Sequence, residues 1–199
     1  MGDPIFRYGL LAYYMVFVGV LFVARSIIVR KRTGVNPLVL PKEGEVALYV
    51  ARGLQAVSAG GASVVLAIGL VPFDVLGALP ALRSQAVFIV GCAMLGASLV
   101  LMAVAQAQMG ASWRIGIDRE HPTALVERGL FAMSRNPIFL ALRANLLGLV
   151  LVYPAAATLA LLVAAEIFIQ LQVRLEEGYL STLHGERYEA YRRRVRRWL

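Results

Sequence analysis

Charge and cysteine are scarce in this chain of 199 residues. Only 16% of the residues are charged and 59% are hydrophobic, whereas about a quarter of an average soluble domain is charged. The single cysteine, Cys92, lies in an apolar stretch, so an intrachain disulfide and a cysteine-based metal cluster are both excluded. The two histidines, His121 and His184, have no partners at the spacing of metal ligands, and no metal site is predicted. This composition favours a protein that is largely embedded in lipid.

Apolar runs long enough to cross a bilayer fill most of the chain. A helix needs about 20 apolar residues to span the hydrocarbon core. Three spans are predicted, at residues 8–29, 46–71 and 84–108. A helical hairpin is predicted to follow, with arms at residues 137–152 and 155–173. The predicted fold class is therefore all-α, a polytopic membrane protein with about five transmembrane helices.

The basic residues are concentrated in alternate loops. The formal net charge is +8, which in a soluble protein would suggest nucleic acid as a partner. Lysine and arginine cluster here in three regions, 25–42, 114–135 and 174–197, whereas the intervening loops contain Arg83 or none. By the positive-inside rule these three regions are cytoplasmic and the N-terminus lies outside. Anionic lipid headgroups, and not nucleic acid, are the predicted electrostatic partner.

The tail after the hairpin, residues 174–199, is rich in arginine and carries apolar residues at helical spacing. These apolar residues are Leu180, Leu183, Tyr191, Val195 and Trp198. The pattern predicts an amphipathic helix on the cytoplasmic membrane surface.

Ionisable residues lie inside both arms of the hairpin. Arg143 precedes the tip at Tyr153-Pro154, and Glu166 follows it by a similar distance. In an antiparallel hairpin the two side chains lie at similar depth, so we predict that they form an ion pair. Such a pair either fixes the register of the hairpin or leaves Arg143 to contact a substrate. On the second arm, Gln172 and Glu176 are predicted to form an i, i+4 pair.

The second half of the chain carries a series of short motifs around the hairpin. They read LVERGLF at 125–131, SRNPIFL at 134–140, EE at 176–177 and HGERYEAYRRRV at 184–195. In order and spacing they resemble the isoprenylcysteine carboxyl methyltransferase family and its bacterial and archaeal relatives, which include phospholipid N-methyltransferases. The family pattern is LVxxGxY, RHPxY, a helical hairpin, EExxL and FGxxYxxYxxxV. The resemblance covers residues 110–197.

The resemblance implies an integral membrane methyltransferase, of a bacterial-type cell membrane, that uses S-adenosylmethionine and releases S-adenosylhomocysteine. The acceptor would be a lipophilic small molecule or lipid that enters from the bilayer. Within one domain, 1–199, residues 1–108 would form three helices and residues 109–199 the cofactor-binding core. The implied cofactor-binding residues are Leu125, Gly129, Leu130, Phe131, Arg135, Asn136, Pro137, Phe139, Leu140, Glu176 and Glu177. Glu176 and Arg143 are the expected catalytic residues.

The chain departs from the family pattern at several of these positions. Asn136 replaces the family histidine, and Phe131 and Phe139 replace tyrosines. Met102 and Gln172 stand where eukaryotic members carry arginines, the first of them thought to hold the prenylcysteine carboxylate. These departures argue against a prenylcysteine carboxylate as acceptor but not against binding of the cofactor.

Two other functions are compatible with the sequence. An NADPH-dependent reductase of the sterol-reductase-like membrane group would use a similar C-terminal architecture. A non-catalytic membrane or transport component would share the helices and not the chemistry. The sequence leaves open the methyl acceptor, the element that is methylated and the oligomeric state.

Overall fold

The computed structural model describes residues 4–39 and 46–199, and these residues are built from helices without a β-strand. The α-helices are α1 (Pro4–Val18), α2 (Arg25–Thr33), α3 (Val46–Leu70), α4 (Gln85–Met109), α5 (Pro137–Val152), α6 (Ala156–His184) and α7 (Glu186–Arg194). The predicted all-α membrane architecture is confirmed. In the described residues, four helical stretches are long and apolar enough to cross a bilayer: Ile5–Thr33, Val46–Leu70, Gln85–Ser112 and Ala156–His184. The fifth predicted span, α5, has 16 residues, or about 24 Å of helix.

The first span is one continuous helical stretch with a wide turn near its middle. A π-helical segment, Gly19–Ala24, joins α1 to α2. Wide turns of this kind re-aim the residues that follow them. Arg25, the first residue of α2, reaches the end of α4 and donates from Nη2 to the carbonyl oxygens of Gln106 at 2.7 Å and Gly110 at 2.6 Å. Arg25 therefore satisfies carbonyl groups that the end of α4 would otherwise leave unpaired.

Helices α4 and α5 pack closely because glycine lies on both facing surfaces. A Cβ atom on Gly148 would lie 3.1 Å from the carbonyl oxygen of Gly91, and one on Gly91 would lie 2.9 Å from the backbone nitrogen of Val152. The sequence indicated Gly91 as a point of close approach, and this is confirmed. Gly60 and Gly96, also expected to allow close packing, have no atom within 4 Å of an added Cβ. Small residues therefore bring helices together at only some of the predicted positions.

A polar cluster lies inside the bundle at mid-length of α1, α4 and α5. The Asn145 amide donates to the hydroxyls of Tyr13 and Ser98, and its Oδ1 accepts from the hydroxyl of Tyr14 at 3.0 Å. Ser98 and Tyr13 in turn donate to the carbonyl oxygen of Leu95 at 2.8 and 2.9 Å. These bonds satisfy polar groups that would be costly in contact with lipid, and they hold α1 against the hairpin.

The first arm of the hairpin has the predicted bounds, but the second arm is longer than predicted. Helix α6 continues beyond residue 173 to His184, and Gly185, at φ 53°, separates it from the short helix α7. The tail is therefore not one separate helix. Its apolar side chains do not form a lipid-facing surface either, because Tyr188, Tyr191 and Val195 are buried in a cluster with Leu125 and Leu180. The prediction of a tail helix lying on the membrane is corrected accordingly.

The tip of the hairpin is tied to the loop between α3 and α4. The backbone nitrogen of Leu79 donates to the carbonyl oxygen of Pro154 at 2.9 Å, and that of Ala156 donates to the carbonyl oxygen of Gly77 at 2.7 Å. Tyr153 is fully buried at this tip, with its ring edge-on to Phe73. The end of the hairpin is thus fixed far from the polar segment at its base.

Candidate functional site

Glu177 is the centre of a polar cluster at the base of the hairpin. Its carboxylate accepts from Arg135 Nη2 at 3.0 Å, from Arg197 Nη2 at 2.8 Å and from Asn136 Nδ2 at 3.3 Å. Arg135 and Asn136 directly precede α5, whereas Glu177 belongs to α6. The site thus joins the SRNP and EE motifs, which are some 40 residues apart in sequence. We call Arg135, Asn136, Glu177 and Arg197 the Glu177 cluster.

The segment at residues 195–197 lies along the start of α5. The backbone nitrogen of Arg135 donates to the carbonyl oxygen of Arg196 at 2.9 Å. The carbonyl oxygen of Arg197 accepts from Ser134 Oγ and from Asn136 Nδ2, both at 3.2 Å. Arg135 Nη1 also donates to the carbonyl oxygen of Val195 at 3.1 Å. This segment therefore forms one wall of the site, which the sequence alone did not indicate.

Helix α7 holds the loop that carries the LVERGLF motif. Glu127 accepts from Arg187 Nε and from Arg194 Nη2, both at 2.8 Å. The hydroxyl of Tyr191 donates to the carbonyl oxygen of Phe131 at 2.7 Å. These contacts bring residues 125–131 next to the Glu177 cluster, as the resemblance implies for Leu125 and Phe131.

Gly129 makes a close approach that a side chain would prevent. Its φ is 63°, and a Cβ atom there would lie 2.4 Å from Gln108 Nε2. The next residue, Leu130, donates its backbone N–H to Gln108 Oε1 at 2.8 Å. Glycine is therefore required at position 129, because it combines a left-handed backbone conformation with contact to the end of α4.

Asp118 fixes the first half of the polar loop. Its Oδ1 accepts from the backbone nitrogens of Glu120 at 3.1 Å and His121 at 2.9 Å. Its carbonyl oxygen accepts from the hydroxyl of Tyr179, on α6, at 2.7 Å. Burial alone would raise the pKa of this carboxyl, but the hydrogen bonds from the two N–H groups and the neighbouring His121 lower it below its ordinary value. The charged carboxylate thus holds the loop in a turn against α6.

Glu176 points away from the Glu177 cluster. Its Oε1 accepts from Gln172 Nε2 at 2.8 Å, which confirms the predicted i, i+4 pair. Its Oε2 accepts no hydrogen bond from the described residues, and the side chain is half-buried. The two adjacent glutamates therefore differ, because Glu177 is fully engaged and Glu176 has an oxygen to offer.

Arg143 and Glu166 form the predicted ion pair across the hairpin. Arg143 Nε lies 2.8 Å from Glu166 Oε2, and Gln170 donates to Oε1 of Glu166 at 2.7 Å. The guanidinium also lies over the ring of Trp198, 4.4 Å from its centroid. Arg143 belongs to the second turn of α5, so it stands apart from the Glu177 cluster and is linked to it through residues 197 and 198.

An apolar groove of about 540 Å³ runs between α4 and α5. Its lining consists of Gly96, Ala97, Ser98, Val100, Leu101, Val104, Leu130 and Ala144. The groove extends from the middle of α4 to Leu130 in the polar loop. It therefore connects the level of the bilayer interior with the segment that carries the LVERGLF motif.

The structure thus brings Arg135, Asn136 and Glu177 into contact and places Leu125 and Phe131 beside them. Pro137 is buried in the first turn of α5, and Phe139 and Leu140 are half-buried just beyond it. Glu176 and Arg143, expected together as catalytic residues, are not brought together. Residues 4–39 and 46–199 contain no group of three or more His, Cys, Asp or Glu side chains that could hold a metal ion.

These features define an integral membrane protein with a polar site at the base of a helical hairpin. The model of the phospholipid methyltransferase family matches residues 86–187, just over half of the chain, and the chain belongs to this family. Membership places it in the methyltransferase class and confirms the resemblance found in the motifs. No curated protein and no solved structure matches the chain.

Proposed function

We propose that this protein transfers a methyl group from S-adenosylmethionine to a lipophilic acceptor in the membrane. The observation that carries the proposal is the Glu177 cluster, because it joins the two motifs on either side of the hairpin into one polar site. Family membership supports the methyltransferase class. The cofactor and the acceptor are the proposed part.

The residues at the site fit the polar groups of this cofactor. Arg135 and Glu177 are fully engaged with each other and with the chain segment 195–197, so we assign them to holding the site together. No side chain caps the start of α5, which leaves backbone N–H groups at Ile138 and Phe139 without an intrahelical partner. Such groups favour an anion, and we assign them to the cofactor carboxylate. The free oxygen of Glu176 is the proposed acceptor for the cofactor ammonium or a ribose hydroxyl.

S-adenosylmethionine supplies an electrophilic methyl group on a sulfonium. The protein has to hold the acceptor in line with that methyl group and to exclude water. Gly129 and Phe131 bring the polar loop over the base of the hairpin, and Tyr191 fixes Phe131 there. The clasp at Glu177 keeps the start of α5 and the segment 195–197 in register. We assign Arg143, whose side chain is 32% exposed, to contact with the polar part of the acceptor.

The groove between α4 and α5 supports a lipophilic acceptor. Its lining is apolar from Gly96 to Val104 and ends at Leu130. An alkyl chain in the groove would remain in an apolar environment, and its polar end would emerge beside the LVERGLF motif. We further propose that residues 109–199 form the cofactor-binding core on the cytoplasmic side, with the N-terminus outside, on the basis of the distribution of arginine and lysine.

Isothermal titration of the purified protein with S-adenosylhomocysteine tests the proposal. We expect saturable binding of S-adenosylhomocysteine and no binding of NADPH, followed by transfer of labelled methyl from S-adenosylmethionine into a membrane lipid extract. Absence of binding at millimolar S-adenosylhomocysteine would contradict the proposal. Binding of NADPH instead would favour a reductase.

A further inference from the structure

Two tyrosines on α7 are buried to the same extent but differ in their hydrogen bonds. Tyr188 is 1% exposed and Tyr191 is 2% exposed. The Tyr191 hydroxyl donates to Phe131, whereas the Tyr188 hydroxyl has no hydrogen-bond partner among the described residues. Buried hydroxyl groups in native proteins nearly always have a partner. The unpaired hydroxyl of Tyr188 therefore calls for a partner that is not part of the chain.

The surroundings of Tyr188 place it at the candidate cofactor site. Its ring packs with Leu125 and Leu180, and Leu125 begins the LVERGLF motif. Burial raises the pKa of Tyr188 to about 12, with a further contribution from the charge of Glu177 and an opposing one from Arg135. The hydroxyl is thus protonated at neutral pH and close to the Glu177 cluster, so it is able to donate a hydrogen bond.

We propose that Tyr188 is a further cofactor-binding residue, whose hydroxyl donates a hydrogen bond to an acceptor atom of S-adenosylmethionine or S-adenosylhomocysteine. This inference rests on the proposed function and deepens it. The residue lies just beyond residues 86–187, the range matched by the phospholipid methyltransferase family. Binding of the cofactor would satisfy a hydroxyl that is unpaired in the free protein, so this contact is made only in the complex.

The chain offers two matched controls for the substitution Tyr188→Phe. Tyr191→Phe removes a buried hydroxyl that already has a partner on the same helix. Tyr153→Phe removes a hydroxyl that is buried and unpaired like that of Tyr188, but at the tip of the hairpin. The three variants make the same chemical change, and they separate the effect of the site from the effect of burial.

The experiment measures the melting temperature without ligand and the dissociation constant of S-adenosylhomocysteine for each variant. We expect Tyr188→Phe to keep or slightly raise the melting temperature and to weaken binding about 5- to 10-fold, the effect of one lost hydrogen bond. Tyr153→Phe should also keep the melting temperature but should bind like the wild type. Tyr191→Phe should lower the melting temperature by about 3 °C.

Two results would overturn the inference while leaving the proposed function intact. One is unchanged affinity of Tyr188→Phe for S-adenosylhomocysteine when the wild type binds it. The other is a loss of melting temperature in Tyr188→Phe as large as that in Tyr191→Phe, since this would mean that the hydroxyl has a structural partner. Absence of binding by the wild type would instead overturn the proposed function, and the inference with it.

Discussion

Arg197 and Glu177 form a two-point ion pair, with Nη2 of the arginine 2.8 Å from Oε2 and Nε 3.1 Å from Oε1 of the glutamate. The pair fixes the segment after α7 to the middle of the candidate site. Glu177 is 8% exposed, and the ion pair with Arg197 raises the pKa of the guanidinium above its ordinary value. Arg197 thus differs from the other arginines of the tail, most of which are exposed.

Replacement of Arg197 tests this contact. We expect Arg197→Met to lower the free energy of unfolding by about 1 kcal/mol, a modest loss because the guanidinium is partly exposed. Binding of S-adenosylhomocysteine should weaken as well, since the wall of the site is loosened. Arg193→Met, at an exposed position of α7, is the control and should change neither quantity. Equal effects of the two variants in thermal unfolding and titration would show that only net charge matters.

The two adjacent glutamates should respond differently to the same substitution. Glu176→Gln keeps the shape of the side chain and should leave expression and melting temperature largely intact, while methyl transfer falls about 100-fold or more. Glu177→Gln should lower the melting temperature, because Arg135 and Arg197 lose a charged partner. Activity and thermal unfolding of both variants provide the measurement. Wild-type turnover in Glu176→Gln would refute the catalytic role that we assign to it.

A double substitution separates the structural and catalytic roles of Arg143. The Arg143 and Glu166 side chains are 32% and 34% exposed, so Arg143→Met alone should cost about 1–2 kcal/mol, less than the loss of a partner in a fully buried pair. Arg143→Met combined with Glu166→Met should recover most of that stability. If Arg143 contacts the acceptor, the double variant is stable and inactive. A double variant that is both stable and active would assign the pair to hairpin register alone.

The turn at Asp118 should make the polar loop sensitive to acid. Its pKa in the folded protein lies below the ordinary value of 3.8, so its contribution to stability is fully present above that pH and is lost as the pH falls through the lowered pKa. Asp118→Asn should therefore be less stable than the wild type at pH 7. The difference should shrink below about pH 4, which unfolding experiments between pH 3 and pH 8 would detect. A difference that is independent of pH would contradict the role of the charged form.

Filling the groove between α4 and α5 should affect the acceptor and not the cofactor. Gly96 borders the groove, and a Cβ atom there meets no atom within 4 Å. Gly96→Leu should therefore fold normally, bind S-adenosylhomocysteine like the wild type and raise KM for a lipophilic acceptor by about tenfold or more. Gly60→Leu is the control, because Gly60 is equally open but lies on α3. Unchanged KM in Gly96→Leu would place the acceptor elsewhere.

Local features of the sequence predicted the helices and one contact between them. Pro137 and the Tyr153-Pro154 tip mark the ends of α5 because proline is favoured in the first turn of a helix and disfavoured in its interior. The Arg143–Glu166 pair could be predicted because the depth of a residue in a hairpin follows directly from its distance to the tip. Both inferences need only distances along the chain.

Contacts that depend on the path of the chain could not be predicted in this way. The role of Arg197 depends on the direction that the chain takes after Gly185, and nothing in the sequence distinguishes it from the neighbouring arginines. Asn145 did carry a signal, since an amide in an apolar helix requires a partner inside the membrane. Its partners, Tyr13, Tyr14 and Ser98, belong to other helices and become evident only in the folded bundle.

The polar cluster around Asn145 has a consequence for how the protein is assembled. Tyr14 and Asn145 are 131 residues apart in sequence, so during synthesis the first helix enters the bilayer long before its hydrogen-bonding partner exists. Its hydroxyls must be served by water or by the insertion machinery in the meantime. The final seating of the first helix is therefore a late event, which waits until the hairpin has been inserted.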